Sequence, residues 1–284
     1  MMITQNKAKA GKNKKSRLRS WIPPEIIRIG RDWSGRGVRF RGDYPSWKDA
    51  AAHAEGYDSF RIIEHVREAT LRVKHGLAEY ERDGVLFYRP EYQYPLLAGL
   101  LRIAAMHEGR LDVIDFGGAL GSTYFQCRPF IERLPELHWR VVEQPHFVQC
   151  GRDCIADETL NFYESIEECM QTGRPYVVIL SGVLQYLPFP QKIMETIARL
   201  GIEHIIIDRT PIIRGVSDVI AVQENSSRIV KSSYPIRLFL RESLIAMVEK
   251  NYRLIAEFDA LDGVHGSIMR RIEFKGFIFK KRFD

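Results

Sequence analysis

Leu111 to Ser122 read LDVIDFGGALGS: a short apolar run, an aspartate near its end, three glycines within five positions, and then a segment with helical spacing. Val113, Ile114 and Phe116 suit a strand buried on both faces. Gly117, Gly118 and Gly121 permit backbone angles, and a close ligand approach, that a Cβ blocks. Ser122 is placed to cap the following helix, so free amide donors face whatever lies above the sheet edge. The stretch predicts a strand-to-loop turn that cradles a cofactor.

The chain downstream extends the unit. Trp139 to Val142 reads as a second strand, and Glu143 stands at its C-terminal end, about 20 residues beyond the last glycine, where a doubly wound sheet places a ribose-binding carboxylate. The fingerprint G-x-G-x-x-G ending at Gly121 requires glycine at 116, where this chain has Phe116. A dinucleotide needs that first tight turn for its pyrophosphate. The alternative register, acid-x-G-x-G-x-G, is filled by Asp115, Gly117, Ala119 and Gly121, with Ala119 in place of the usual middle glycine.

Further strands are expected at Leu160–Tyr163, Tyr176–Ser181 and His204–Asp208, with helical segments between them. Such alternation implies an α/β fold, a doubly wound, mostly parallel sheet with its site at the strands' carboxyl ends. A helix near Arg241–Lys250 then leads to Arg253–Phe258 and Glu273–Lys281, two strands without a full crossover helix between them. These predict an antiparallel pair at the sheet edge. No internal repeat is evident.

Three parts are expected: a basic tail over 1–22, an N-terminal helical extension or lid over 23–109, and the sheet domain over 110–284. Within the extension, Arg36–Trp47 is rich in turn formers and aromatics. Ser46 is placed to cap a helix from Trp47 that Gly56 ends, and Ser59–Lys74 carries Phe60, Ile63, Val66 and Leu71 near helical spacing. Glu79–Tyr94, with four tyrosines and several carboxylates, reads either as a flap over the site or as a packing surface, ahead of an apolar helix at Leu96–Ala105.

The 284 residues are 45% hydrophobic, enough for one α/β core plus an extension. No stretch approaches the ~20 apolar residues that span a bilayer, and the basic, polar start has no apolar signal core, so a cytoplasmic protein is expected. Cys127, Cys150, Cys154 and Cys169 lack C-x-x-C spacing, which suggests reduced small apolar side chains and no metal centre. The net charge of +6 is concentrated in Lys7, Lys9, Lys12, Lys14, Lys15, Arg17 and Arg19. Such a run is ordinarily a solvated tail. Near an anionic membrane it offers a loose peripheral hold of about 1 kcal/mol per basic residue; no signature of nucleic-acid binding accompanies it.

The register Asp115, Gly117, Ala119, Gly121 resembles motif I of the S-adenosylmethionine-dependent methyltransferases with a Rossmann-like fold. FRGDYPSW (Phe40–Trp47), EGYDSF (Glu55–Phe60), YERDGVLFY (Tyr80–Tyr88), IDFGGALGSTYF (Ile114–Phe125), VVEQP (Val141–Pro145), SGVLQYL (Ser181–Leu187) and SSYPIRLF (Ser232–Phe239) together resemble one family of bacterial methyltransferases. That family is associated with O-antigen and other surface-polysaccharide biosynthesis. The resemblance spans nearly everything after the basic tail. It implies S-adenosylmethionine as cofactor, a sugar or glycan intermediate as acceptor, and a class I sheet with an antiparallel last strand.

By the same resemblance, Asp115, Gly117, Gly118, Ala119 and Gly121 form the loop facing the methionine end, and Glu143 takes the ribose diol. Phe162 lies against the adenine, and Ser181 and Gly182 pass beside the sulfonium, with Gln185 and Tyr186 lining the pocket. Methyl transfer needs in-line approach at ~3–3.5 Å, and a sugar hydroxyl gains about 10²–10⁴ from a general base. Asp208, His265 (in the turn-like DGVHGS) and Tyr186 are the catalytic candidates, and Tyr234 is placed to orient the acceptor. Two other classes fit parts of the pattern. One is an NAD-dependent nucleotide-sugar oxidoreductase or epimerase, which lacks here both the glycine at 116 and a Tyr-x-x-x-Lys pair, since Pro190 follows Tyr186 at that spacing. The other is a non-catalytic scaffold that retains the fold.

Overall fold

The computed structural model describes residues 38–55, 59–226, 231–266 and 271–282. The basic tail, Pro23, Pro24, Arg36 and Gly56 lie outside these residues, as does the side chain of Phe60. In chain order, β1 (Val38–Arg41) leads to α1 (Trp47–Ala52), α2 (Ser59–Lys74), the short strands β2 (Tyr80–Arg82) and β3 (Val85–Phe87), and α3 (Tyr94–Met106). Strands and helices then alternate: β4 (Arg110–Phe116), α4 (Ser122–Ile131), β5 (Glu136–Val142), α5 (Pro145–Cys154), β6 (Leu160–Tyr163), α6 (Ile166–Thr172) and β7 (Val177–Ser181). A 3₁₀ turn at Leu184–Tyr186 precedes α7 (Pro190–Arg199). After it come β8 (His204–Ile213), β9 (Val219–Ser226), β10 (Lys231–Leu240), α8 (Arg241–Glu249), β11 (Tyr252–Gly266) and β12 (Arg271–Lys281).

Five parallel strands in the order β6-β5-β4-β7-β8 carry the sheet. β12 runs antiparallel along β8, and β11 runs antiparallel to β12, so the expected antiparallel pair closes this side. From β4 the chain winds outward through β5 to β6, then crosses to β7 on the other flank. The switch point therefore lies at the carboxyl end of β4, where a doubly wound sheet opens its crevice. β8 parts from β7 after the pair Ser181 and Asp208 and runs on to meet β10 at Ile212 and Ile213. β10 pairs antiparallel with β9, and β9 with β1.

β1 corrects the reading of Arg36–Trp47 as turns: Val38–Arg41 pairs with Asn225–Val222. The residues ahead of β4 thus contribute a strand to the main sheet, and the hairpin of β2 and β3, as well as helices. Ser46 caps α1 as expected, its side chain accepting from the Asp49 amide, and α1 ends at Ala52, ahead of Gly56.

Residues alternate between the two faces of the parallel sheet. Leu111, Val113, Trp139, Val141, Val177 and Ile179 face one way, covered by α2, α3, α4 and α5 through residues such as Val66, Leu100, Phe125 and Val148. Ile114, Val142, Val178, Leu180, Ile205 and Ile207 face the other way, against α6, α7 and α8 through Cys169, Ile197 and Leu244. Each such side chain, buried rather than exposed, contributes roughly 1.5–3 kcal/mol. Asp112 interrupts the second face and is paired there: Arg140 donates from Nε to Oδ1 at 2.7 Å and from Nη2 to Oδ2 at 3.1 Å. Among the described residues no helix is long and apolar enough to cross a membrane.

Candidate functional site at the switch point

The loop after β4 is shaped by positive φ angles at Gly117 (73°), Ala119 (50°) and Gly121 (92°). At Gly117 a Cβ would stand 2.5 Å from Val183 Cγ2, so glycine lets this loop meet the segment after β7. Gly121, not Ser122, is the N-cap of α4. It is left-handed and has no side chain to cap with, while the Ser122 hydroxyl donates to Glu81 Oε1. The expected serine cap is thereby corrected, because the hydroxyl is taken by a carboxylate from β2.

Asp115 is 1% exposed and lies beneath the loop rather than facing the crevice. Its Oδ2 accepts from Trp139 Nε1 at 3.1 Å. Burial pushes its pKa up to about 7, against the pull of the indole N–H. Glu143, at the end of β5, reaches back to the loop: Oε1 accepts from the Ala119 amide at 3.3 Å and Oε2 from the Gln144 amide at 2.8 Å. Burial raises its pKa as well, while these two amides oppose the rise. Glycine loop and acid, 24 residues apart in sequence, thus form one hydrogen-bonded unit.

Phe162 does not join them. It is 2% exposed, and its ring lies under α5, where a Cβ on Gly151 would come within 2.5 Å of it. No face of the ring is left for a nucleobase, because Phe162 sits on the sheet face that the helices cover.

Beside the loop, Glu81, Gln93, Ser122, Ser181, Asp208 and Arg209 line a cleft. Asp208 is 2% exposed and accepts from Gln93 Nε2 at 3.3 Å. Burial raises its pKa to about 6, with the Arg209 cation pulling the other way. Arg209 has φ 52° and is forked onto Asp262, Nε to Oδ2 at 3.0 Å and Nη2 to Oδ1 at 3.2 Å. Burial alone would push Asp262 up, but Arg209 holds its pKa below the ordinary value.

Sequence reasoning missed Glu81. This carboxylate, 2% exposed, takes the Ser122 hydroxyl on one oxygen and the Gly84 amide, at 2.9 Å, on the other. Burial raises its pKa, with Ser122 and Gly84 opposing. The overlooked signal is Asp83-Gly84, both at positive φ (52° and 77°). That pair marks a two-residue hairpin turn joining β2 to β3, which lays Glu81 over α4.

Of the remaining candidates, Ser181 lines the cleft and the others stand behind it. Ser181 ends β7 and Gly182 follows it, the Gly182 amide donating to the Asp208 carbonyl at 3.0 Å. Gln185 is buried in the 3₁₀ turn and donates to the Arg209 carbonyl at 3.2 Å. Tyr186 points toward β9: its hydroxyl donates to Gln223 Oε1 at 3.0 Å, and Gln223 donates onward to the Tyr234 hydroxyl at 3.1 Å. Burial raises the Tyr186 pKa well above its ordinary value. His265 lies in β11 opposite Ile272, not in a flexible turn, with Nε2 2.9 Å from the Asp262 carbonyl oxygen.

No family model matches this chain, and no curated protein matches it either. Solved structures give distant likenesses. The N-terminal domain of EvdMO1, crystallised in the presence of SAH and D-fucose, is 15% identical at a TM-score of 0.45, over 76% of this chain and 97% of that one. The CcbJ methyltransferase from Streptomyces caelestis is 13% identical at 0.42, over 66% and 94%. A structure described as a pericyclic reaction enzyme is 15% identical at 0.49, over 95% of this chain and 65% of that one. At such identities and TM-scores none of them bears on what this chain does.

Proposed function

We propose that the protein is an S-adenosylmethionine-dependent methyltransferase, and that its acceptor is a sugar or glycan-type intermediate such as surface-polysaccharide biosynthesis uses. The observation that carries the reading is the Ala119 amide bonded to Glu143, which joins the glycine loop and the strand-end acid into one cradle at the switch point. The residues fit the cofactor. The backbone of Gly117, Gly118, Ala119 and Gly121 would hold its methionine part, and Glu143, with lone pairs left on both oxygens, would accept from the ribose diol. Ser181 and Gly182 would flank the sulfonium. When bound, the cofactor supplies an electrophilic methyl group.

The chain's own residues do the rest. Asp115 and Trp139 hold up the loop from below. Glu81, Gln93 and Ser122 offer hydrogen-bond partners suited to a polyhydroxylated acceptor, and Gln93 fixes the orientation of the Asp208 carboxyl. Asp208 serves as the general base that takes the acceptor hydroxyl's proton as attack begins, because its raised pKa of about 6 suits proton transfer near neutral pH. Tyr186, Gln223 and Tyr234 form a hydrogen-bonded chain behind the acceptor side, and His265 braces the backbone of Asp262, onto whose carboxylate Arg209 forks.

Calorimetric titration with S-adenosylmethionine, S-adenosylhomocysteine and NAD tests the reading. Binding of the first two, weakened roughly tenfold to a few hundredfold by Glu143→Ala as charged hydrogen bonds of ~1.5–3 kcal/mol are lost, supports it. Binding of NAD alone overturns it in favour of an oxidoreductase, and binding of none favours a scaffold. For the acceptor, methylated glycans lost on deletion of the gene are the informative readout.

A further inference from the structure

At the opposite, amino-terminal end of the sheet, three side chains converge that the crevice does not use. His107 follows the last turn of α3, and Glu203 and His204 lead into β8. One ligand atom from each of the three lies within 4.8 Å of the others, and His107 Nε2 stands 3.9 Å from Glu203 Oε2.

His204 is the unusual member. It is 0% exposed, yet among the described residues neither Nδ1 nor Nε2 has a hydrogen-bond partner, and His107 Nε2 is buried without one as well. A buried polar atom left unpaired costs roughly 1–3 kcal/mol, so three in one cluster mark an arrangement built for something else. His107 is held in place by stacking on Tyr176, centroids 3.9 Å apart and planes within 3°. The two imidazoles stand edge to face at 6.3 Å.

We propose that His107, Glu203 and His204 form a binding site for a divalent transition-metal ion of the zinc class. Two imidazoles and a carboxylate are ligands for zinc or cobalt rather than for calcium or magnesium, which take oxygens. A tetrahedral ion with bonds of about 2.0–2.1 Å brings its ligand atoms to about 3.4 Å from one another. Glu203, partly exposed, closes the remaining gap by rotating toward the two imidazoles, and water supplies the fourth position. Glu203 supplies the one negative charge among the three ligands. The ion ties the end of α3 to the start of β8, clamping the extension's last helix to the sheet.

The experiment is metal titration of the full chain after chelation and dialysis, in a Cys150→Ser, Cys154→Ser background that removes the two partly exposed thiols. The expected result is one equivalent of zinc bound and a rise of several degrees in Tm with zinc. Cobalt should give the intense visible bands of a tetrahedral ion without thiolate charge transfer. His107→Gln and Glu203→Gln, both at the rim, should fold and lose at least tenfold in affinity; His204→Ala should abolish binding. Less than one equivalent, or binding that both rim variants leave unchanged, overturns the site.

Discussion

Gly118 passes so close over Asp115 that a methyl on its Cα would stand 2.5 Å from the carboxyl carbon. A Gly118→Ala chain must therefore push the loop or the carboxylate aside, which costs about 1–3 kcal/mol as overpacking does. Asp115→Ala removes the obstacle but leaves the Trp139 indole N–H without its acceptor. The two substitutions should couple: Gly118→Ala should cost at least 0.5 kcal/mol less in the Asp115→Ala background. Additive denaturation midpoints would mean that the contact is not what makes residue 118 glycine.

Asp115 also makes stability depend on pH. Its carboxyl holds a proton more tightly in the folded chain, at a pKa of about 7 against an ordinary 3.8, so the folded state binds more protons across that interval. Stability present below about pH 4 is then lost as pH rises toward 7, and the penalty stays constant above. Asp115→Asn keeps an acceptor for Trp139 and removes the charge. Its Tm relative to the parent chain should be higher at pH 8 than at pH 4.5. An unchanged difference between the two would exclude a buried titrating carboxyl here.

The Asp112 and Arg140 pair predicts a different pattern. Arg140 also donates to the Tyr163 hydroxyl at 3.0 Å and to Thr172 Oγ1 at 2.9 Å, and both charged side chains are nearly buried, 7% and 10% exposed. Asp112→Ala should cost about 3–5 kcal/mol by stranding the guanidinium, whereas Asp112→Leu with Arg140→Met should cost clearly less. Chemical denaturation of the three chains decides it.

For the proposed reaction, kcat/KM should rise with pH through about 6 as Asp208 ionises, and Asp208→Asn should lose 10²–10⁴ together with that limb of the profile. A variant that keeps its rate would place the base elsewhere.

Much of the sheet was legible because its signals are local. The apolar run of β4 followed by glycines, Leu160–Tyr163 between polar flanks, and Ser46 before an alanine-rich segment each satisfy a backbone need within a few residues, and α2 spans Ser59–Lys74 as its spacing predicts. The ladder of β1, β9 and β10 was not legible. Val38–Arg41 pairs with residues more than 180 positions away, and β10 carries Pro235 inside the strand, so neither reads as a strand without its partner.

At the candidate site, the loop and Glu143 could be named from the sequence because a motif spaces them, whereas Glu81 depends on a hairpin that brings a distant carboxylate onto α4. The burial of Phe162 and the strand placement of His265 escaped the sequence for one reason. Whether a strand-end aromatic is covered, or a Gly-flanked histidine is paired, is decided by elements that local sequence does not contain.

β12 lies between β8 and β11, although it follows both along the chain. During translation, β8 and β11 leave the ribosome with facing edges that have no partner until residues 271–281 arrive. Ile205, Ile206 and Ile207 line one of those edges, and all three are 0% exposed in the finished fold. A polypeptide stalled or truncated before Arg271 presents these two sticky borders to its neighbours. Such a fragment should be a ready substrate for chaperones and for aggregation.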